Sequence, residues 1–305
     1  MAFVKTAVAA YGSTTLFVLL WSSGAIVSKL GLAHASAFAF LVLRFALASG
    51  VLVMLGLWRR RWLPASGTRL RVAITGAFLT GGYPICYLLA LDHGLTPGIL
   101  VTLLGAQPIL TLVLVERRLS APRLGGLLLA LGGLSLVVFG AGNAERYPMT
   151  GVLFGSASLA CMTIGSILQK SLKQQPTDVL PLQNVVSLTL AMLFVPFQPI
   201  TFVPGLGFLL PLLWLGIGIS VFAQLLLYRL MQAGNLVNVT SLFYFVPVVT
   251  AVMDYLVLCN RLTPLSLAGM VSILAGLLLA FRAAPASALA SAAMRASASS
   301  PVRKR

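Results

Sequence analysis

The residues in this sequence best able to do chemistry are polar side chains set inside long apolar runs. Trp21, Ser22, Ser23, Arg44, Tyr83, Gln107 and Ser220 fall near the centres of such runs, and Tyr87, Gln224, Tyr228 and Tyr244 lie within a few turns of one. A polar group at membrane depth is costly and is retained for a reason. Arg44 is the costliest, because a buried guanidinium must face a partner, backbone carbonyls or water. A structural arginine tied to helix ends is the expectation; a cationic anchor for a substrate carboxylate is the alternative. Asp254 is the one acid well inside a run. It would either carry a proton or neutralise Arg44 or Lys29, and the second is expected, since a carboxylate beside cations stays ionised. Glu116, beside Arg117 and Arg118, reads as an interfacial ion pair.

Tyr83 and Tyr87 are four apart and share a helix face. With Trp21 they are deep enough for their polar tips to need a partner or a wet site. A mostly apolar pocket with a few polar groups suits a planar amphipathic molecule. The expected substrate-binding residues are therefore Trp21, Ser22, Ser23, Tyr83, Tyr87, Gln107, Gln224, Tyr228 and Tyr244. Catalysis is a poor fit. The two histidines, His34 and His93, have no metal-ligand spacing to each other or to an acid, and no glycine-rich nucleotide loop, cysteine pair or carboxylate pair is present. No metal or cofactor is expected. Cys86, Cys161 and Cys259 read as small packing residues.

The elements that must position these groups are membrane spans. Hydrophobic residues make up 59% of the chain and charged residues 9%, with a mean hydropathy of +1.01. A helical span needs roughly 20 mostly apolar residues, and ten stretches qualify: 13–32, 36–58, 70–91, 97–115, 122–141, 149–170, 178–197, 206–230, 236–258 and 264–282. Residues 1–12 precede them, and the Ala/Ser-rich stretch 283–305 reads as a disordered tail. The first run has full spanning length and no small-residue cleavage site after it, so it reads as a helix and not a signal peptide.

The net charge of +16 is topological rather than a nucleic-acid surface. With the N-terminus in the cytoplasm, seventeen Lys and Arg residues fall on the inner side and three on the outer, Lys29, Arg146 and Arg261. That positive-inside bias predicts both termini in the cytoplasm; the expected location is a bacterial inner (plasma) membrane.

The spans form two sets of five, 13–141 and 149–282, and an odd number inverts the second set. Arg118-Leu119-Ser120 opens the fifth span and Arg261-Leu262-Thr263 the tenth, an offset of 143 under which Gly126 matches Gly269 and Gly133 matches Gly276. Small residues on one face let helices approach closely in lipid, so spans five and ten read as scaffold. Pro108 and Pro247 correspond at an offset of 139, which gives span nine an extra turn beyond its proline. A proline inside a helix removes a backbone hydrogen bond and kinks it, so the pair reads as two hinges. The pathway is expected to be lined by spans one, three, four, six, eight and nine.

Leu20-Trp21-Ser22-Ser23-Gly24, Leu41-Val42-Leu43-Arg44-Phe45, Leu104-Gly105-Ala106-Gln107-Pro108 and Glu116-Arg117-Arg118-Leu119-Ser120 occur in this order along the spans. Together with the five-plus-five repeat, they resemble the EamA-type family of the drug/metabolite transporter superfamily. The resemblance covers residues 13–282. It implies export of small metabolites, often amino acids, by alternating access, and the family includes an aromatic amino-acid exporter branch. One departure stands out: the counterpart of Glu116 in the second half is Cys259.

The expected protein is thus an all-α integral membrane transporter of ten helices in two inverted repeats, not an enzyme. It would export amino acids with aromatic or bulky apolar side chains. The alternatives are another metabolite or drug, a channel, or a membrane-embedded enzyme without a recognisable motif. Its partners are a small-molecule substrate and the bilayer, with no nucleic acid.

Overall fold

A computed structural model describes residues 2–60, 63–95, 97–116, 120–139, 148–197, 200–258 and 263–282. Among these lie ten helices: α1 (Ala2–Leu32), α2 (Ala37–Trp58), α3 (Arg69–Asp92), α4 (97–115), α5 (Ala121–Phe139), α6 (Met149–Ser171), α7 (Pro176–Phe197), α8 (Leu206–Ala233), α9 (236–258) and α10 (Pro264–Arg282). Each corresponds to one expected span; α1 alone begins well before its expected start. Seven are long and apolar enough to cross a membrane, and the other three, α4, α5 and α9, are shorter apolar helices. Cys259, Arg117, Arg118 and the tail 283–305 lie outside the described residues, as does the side chain of Asp254.

The starts of these helices follow from local chemistry. Proline opens α4, α7 and α10, where its missing N–H costs nothing. Asn235 caps α9, its side-chain oxygen accepting from the N–H groups of Val237 (2.9 Å) and Asn238 (3.3 Å). The outward faces carry bare apolar side chains such as Met54, Leu114, Leu153 and Phe222. Such a surface belongs in lipid. Cys86 on α3 and Cys161 on α6 are free thiols that face each other between the helices.

The inverted repeat appears as contacts that occur twice. Gly24 of α1 lies against Ile219 of α8, and Gly165 of α6 lies against Leu79 of α3. At one end of the bundle the α1–α2 connection pairs with the α7–α8 connection. There Ser36 N–H donates to Thr201 O and Val203 N–H to His34 O, both at 2.8 Å. At the other end the α2–α3 connection meets the α6–α7 connection. Ala65 N–H donates to Gln174 Oε1 (2.9 Å) and Gln174 Nε2 to Thr68 Oγ1 (2.7 Å). Both α3 and α8 contain a stretch of π-helix, Ala77–Gly82 and Trp214–Ala223. Widened turns of this kind concentrate at functional sites.

The closest approach is between α5 and α10. A Cβ on Gly126 would sit 2.6 Å from the Gly276 carbonyl oxygen, and one on Gly133 would sit 2.6 Å from that of Gly269. The partner numbers fall as the first numbers rise, so the two helices run antiparallel. Exchanging the halves turns the first contact into the second, as an isologous interface requires. The four glycines singled out by the repeat are therefore one seam between the two scaffold helices.

Gly133→Ala forces a methyl group into the backbone of α10 and is expected to cost about 1–3 kcal/mol. Gly132→Ala, whose Cβ would meet nothing within 4 Å, is expected to be silent. Thermal unfolding of detergent-purified variants checks this; equal melting curves would show that the seam is not tight.

Candidate functional site

Two helices are interrupted, and they are the two with the matched prolines. α4 consists of Pro97–Leu104 and Gln107–Val115, broken at residues 105–106 just before Pro108. In α9, Leu236–Ser241 and Phe245–Leu258 flank a 3₁₀ turn, Leu242–Tyr244, just before Pro247. Proline cannot bond to the carbonyl four residues back and its ring collides with it. Beyond the proline α4 runs seven residues, to Val115, and α9 runs eleven, to Leu258. The additional turn expected in α9 is the difference.

The breaks meet each other. Tyr244, in the turn of α9, donates its hydroxyl to the carbonyl of Gly105, in the break of α4. Ser22 of α1 donates to the carbonyl of Val246 at 3.3 Å, and Gln107 Nε2 donates to Ser166 Oγ of α6 at 3.1 Å. Each break is thus held by a serine from the first helix of the opposite half. Phe243 packs edge-on to both Phe17 and Trp21, with ring centroids 5.7 and 5.4 Å away.

A second cluster lies between α2, α3 and α8. Arg44 Nε donates to Ser220 Oγ at 2.7 Å, within the π-helix of α8. Tyr83, directly after the π-helix of α3, lies within electrostatic range of Arg44. Its ring meets that of Tyr87 edge to face at 6.2 Å. Arg44, Tyr83 and Tyr87 are surrounded by protein yet remain part-accessible. The expectation that Arg44 is tied to helix ends does not hold among the described residues: its partner is a side chain in mid-helix. Arg44 also adds α2 to the helices presenting polar groups inward.

A third cluster is a buried neutral network. Gln183 Nε2 donates to Gln169 Oε1 (2.8 Å), Ser187 Oγ to Thr80 Oγ1 (2.7 Å) and Thr80 Oγ1 to the Gln183 carbonyl (3.3 Å). Gln107 Oε1, Gln169 Nε2, Gln183 Oε1 and the Tyr228 hydroxyl remain without a hydrogen-bond partner. Gln224, one turn before Tyr228, lies close to that hydroxyl without completing a bond. Unpaired buried polar atoms of this kind mark places for water or a polar ligand.

A fourth cluster ties the halves together where α4 ends and α5 and α9 begin. Glu116 forms an ion pair with Arg123 of α5, which is 1% exposed. Arg123 Nη2 also donates to Asn235 Oδ1 (3.1 Å) and Asn238 Oδ1 (2.7 Å), and Asn235 Nδ2 donates to Glu116 Oε1 (3.2 Å). Glu116 was expected to pair with its neighbours Arg117 and Arg118; the described partner is Arg123. At the offset of 143, Arg123 corresponds to Ser266 and Glu116 to Cys259. The opposite end therefore has no charged counterpart at either position. Nearby, Lys170 donates to the carbonyls of Met231, Gln232 and Gly234 at the end of α8. Cations suit helix C-termini.

Of the expected substrate residues, the structure brings together Trp21, Ser22, Gln107 and Tyr244 around the breaks. Tyr83 and Tyr87 sit with Arg44, and Gln224 with Tyr228. Ser23 lies apart, on the outer flank, bonded to Leu20 O (2.7 Å) and accepting from Trp214 Nε1 (3.0 Å). His34 and His93 cap their own helices, with Nδ1 3.2 Å from Leu30 O and 2.9 Å from Leu89 O. No group of three potential metal ligands occurs among the described residues. Sequence reasoning missed Arg123, Asn235, Asn238 and Gln183. The visible signals were Gly234-Asn235 as a helix start and an arginine two residues into an apolar helix.

Tyr244→Phe removes the donor that satisfies the Gly105 carbonyl and is expected to destabilise the protein by about 1–3 kcal/mol. Tyr83→Phe, with no hydrogen bond to lose among the described residues, serves as the control. Chemical denaturation of both reads the difference; parity between them would remove this role from Tyr244.

Known proteins agree with this architecture. A solved structure described only as a crystal structure of a protein shares the fold, with a TM-score of 0.76 at 21% identity, covering 88% of this chain and 98% of that one. The uncharacterized transporter YetK of Bacillus subtilis (strain 168) is 30% identical over 209 residues, 64% of this chain. The match spans 61% of the length of that relative. The model of the EamA-like transporter family matches twice, over residues 10–139 and 149–282, once in each half. With ten helices in two inverted five-helix repeats and a family match across each, the chain belongs to the EamA-like transporter family.

Proposed function

We propose that this protein is a secondary transporter that exports small amphipathic metabolites by alternating access, with aromatic or bulky apolar amino acids as the preferred substrates. In this reading both termini are cytoplasmic in a bacterial inner membrane. Residues 13–141 and 149–282 are the two repeats that rock against each other. The observation that carries it is the contact between the two breaks, Tyr244 on Gly105, in a bundle whose described ion pair, Arg123–Glu116, ties the halves at one end. Pro108 and Pro247 act as the hinges.

The positive-inside bias supports a cytoplasmic position for the Arg123–Glu116–Asn235–Asn238 cluster. There it acts as a lock across the halves, released when the substrate is to be taken up from the cytoplasm. Trp21, Tyr83 and Tyr87 offer aromatic surface to the substrate. Gln107, Gln224 and Tyr228 supply neutral polar groups, which accommodate a zwitterion better than a phosphorylated metabolite. A sugar phosphate would need several cations in mid-membrane, and Arg44 is the one basic residue the sequence places there.

Uptake of labelled tryptophan, phenylalanine, threonine and a sugar phosphate into proteoliposomes, with and without a proton gradient, tests the proposal. Saturable transport of the aromatic amino acids is expected; transport of the phosphate alone would overturn it. Pro108→Ala is expected to change transport rate more than protein abundance. Arg123→Ala strands Glu116 and is expected to cost about 3–5 kcal/mol, because a buried charge loses its partner. The double variant Arg123→Gln/Glu116→Gln should regain part of that loss. If it is no more stable than Arg123→Ala, the pair is not coupled.

A further inference from the structure

The repeat offers an internal control for Arg44. Arg44 stands seven residues into α2, and Gln183 stands seven residues into α7, its counterpart in the other half. Each faces the π-helix of the same flanking pair: Arg44 bonds Ser220 of α8 through its side chain, and Thr80 of α3 donates to the backbone carbonyl of Gln183, whose side-chain amide donates to Gln169 instead. The fold thus accepts a neutral amide at this position, so packing there does not call for a positive charge.

Among the described residues that charge is also unanswered: no carboxylate lies within ion-pair distance of Arg44, and the ion pair described there joins Arg123 to Glu116. A guanidinium carries five N–H donors in a flat fork, and the bond to Ser220 uses the one on Nε. The two terminal nitrogens remain, in part-accessible space beside Tyr83. A cation in low-dielectric surroundings with one hydroxyl partner gains most from a bound anion. The fork matches the two oxygens of a carboxylate. The T-shaped Tyr83–Tyr87 pair next to it presents ring faces and edges that suit an apolar or aromatic body.

We propose that Arg44 is the carboxylate-recognising residue of the transport site. Its terminal nitrogens hold the substrate carboxylate, Ser220 fixes the plane of the guanidinium, and Tyr83 and Tyr87 face the rest of the molecule. This rests on the transporter reading above and sharpens it. The carboxylate is the required group and the ammonium is not, so aromatic and branched carboxylic acids are recognised alongside amino acids.

Binding separates this idea from transport. Purified protein is titrated by thermal shift with 3-phenylpropionate, which has the carboxylate alone, and with phenethylamine, which has the ammonium alone. The same compounds then compete with labelled phenylalanine in proteoliposomes. Stabilisation by 3-phenylpropionate and none by phenethylamine is expected. Arg44→Gln should weaken the carboxylate response by about tenfold or more, the scale of a charge-assisted hydrogen bond. Arg44→Lys should be intermediate, because a point charge cannot form the fork. Should Arg44→Gln not fold, Ser220→Ala tests the same site and should reduce the preference for the carboxylate while keeping the charge. Asp254→Asn is the control for an internal ion pair. If Arg44→Gln/Asp254→Asn recovers the stability lost in Arg44→Gln, the charge serves Asp254 and the proposal fails. It also fails if phenethylamine stabilises as well as 3-phenylpropionate, or if Arg44→Gln leaves the preference unchanged. Carboxylate-selective stabilisation without phenylalanine uptake would uphold the site and overturn the amino-acid transport reading instead.

Discussion

Inside a bilayer a backbone carbonyl released from its helix has no water to turn to, and the interior of this protein is arranged around that constraint. Pro108 and Pro247 each interrupt a helix in mid-span. Donors from neighbouring helices reach carbonyls beside the breaks: Tyr244 reaches Gly105, and Ser22 reaches Val246. Because each of these donors comes from the opposite half, the weakest points of α4 and α9 are also where the halves are joined. One phenolic hydrogen bond links the two breaks directly.

The two halves share a backbone plan but not a distribution of charge. Gly24 and Gly165 make corresponding contacts, as do the glycines of α5 and α10. Some of the differences between the halves are electrostatic: Arg44 against Gln183, and Glu116 with Arg123 against Cys259 with Ser266. A symmetric scaffold with asymmetric charges has two non-equivalent ends and two non-equivalent flanks, one holding a cation and the other a neutral network.

Much of the fold was legible in the sequence because it depends on one-dimensional signals. Apolar runs of spanning length gave the ten helices, and the offset of 143 between Arg118-Leu119-Ser120 and Arg261-Leu262-Thr263 gave the glycine seam. The prolines marked the breaks. Partners were much less legible, because they lie far apart in sequence. Arg123 reaches Asn235 and Asn238 more than a hundred residues away, and no local pattern distinguishes it from a charge that merely sets topology. Glu116 was assigned to its adjacent arginines because proximity in sequence was the one proximity available. Ser22 and Ser23 looked alike, yet successive helix positions point about 100° apart. One holds the break in α9, and the other bonds a tryptophan on the outer flank.

The seam between α5 and α10 has a consequence for how the molecule is made. The groove at Gly126 is filled by the backbone at Gly276, which follows it by 150 residues. At translation rates of about 5–20 residues per second, α5 waits roughly 8–30 s in the membrane before its partner leaves the ribosome. During that interval it exposes a strip of bare backbone to lipid and to every other nascent helix. The contact between α5 and α10 thus cannot form until α10 has been made, and α5 has to do without that partner until then.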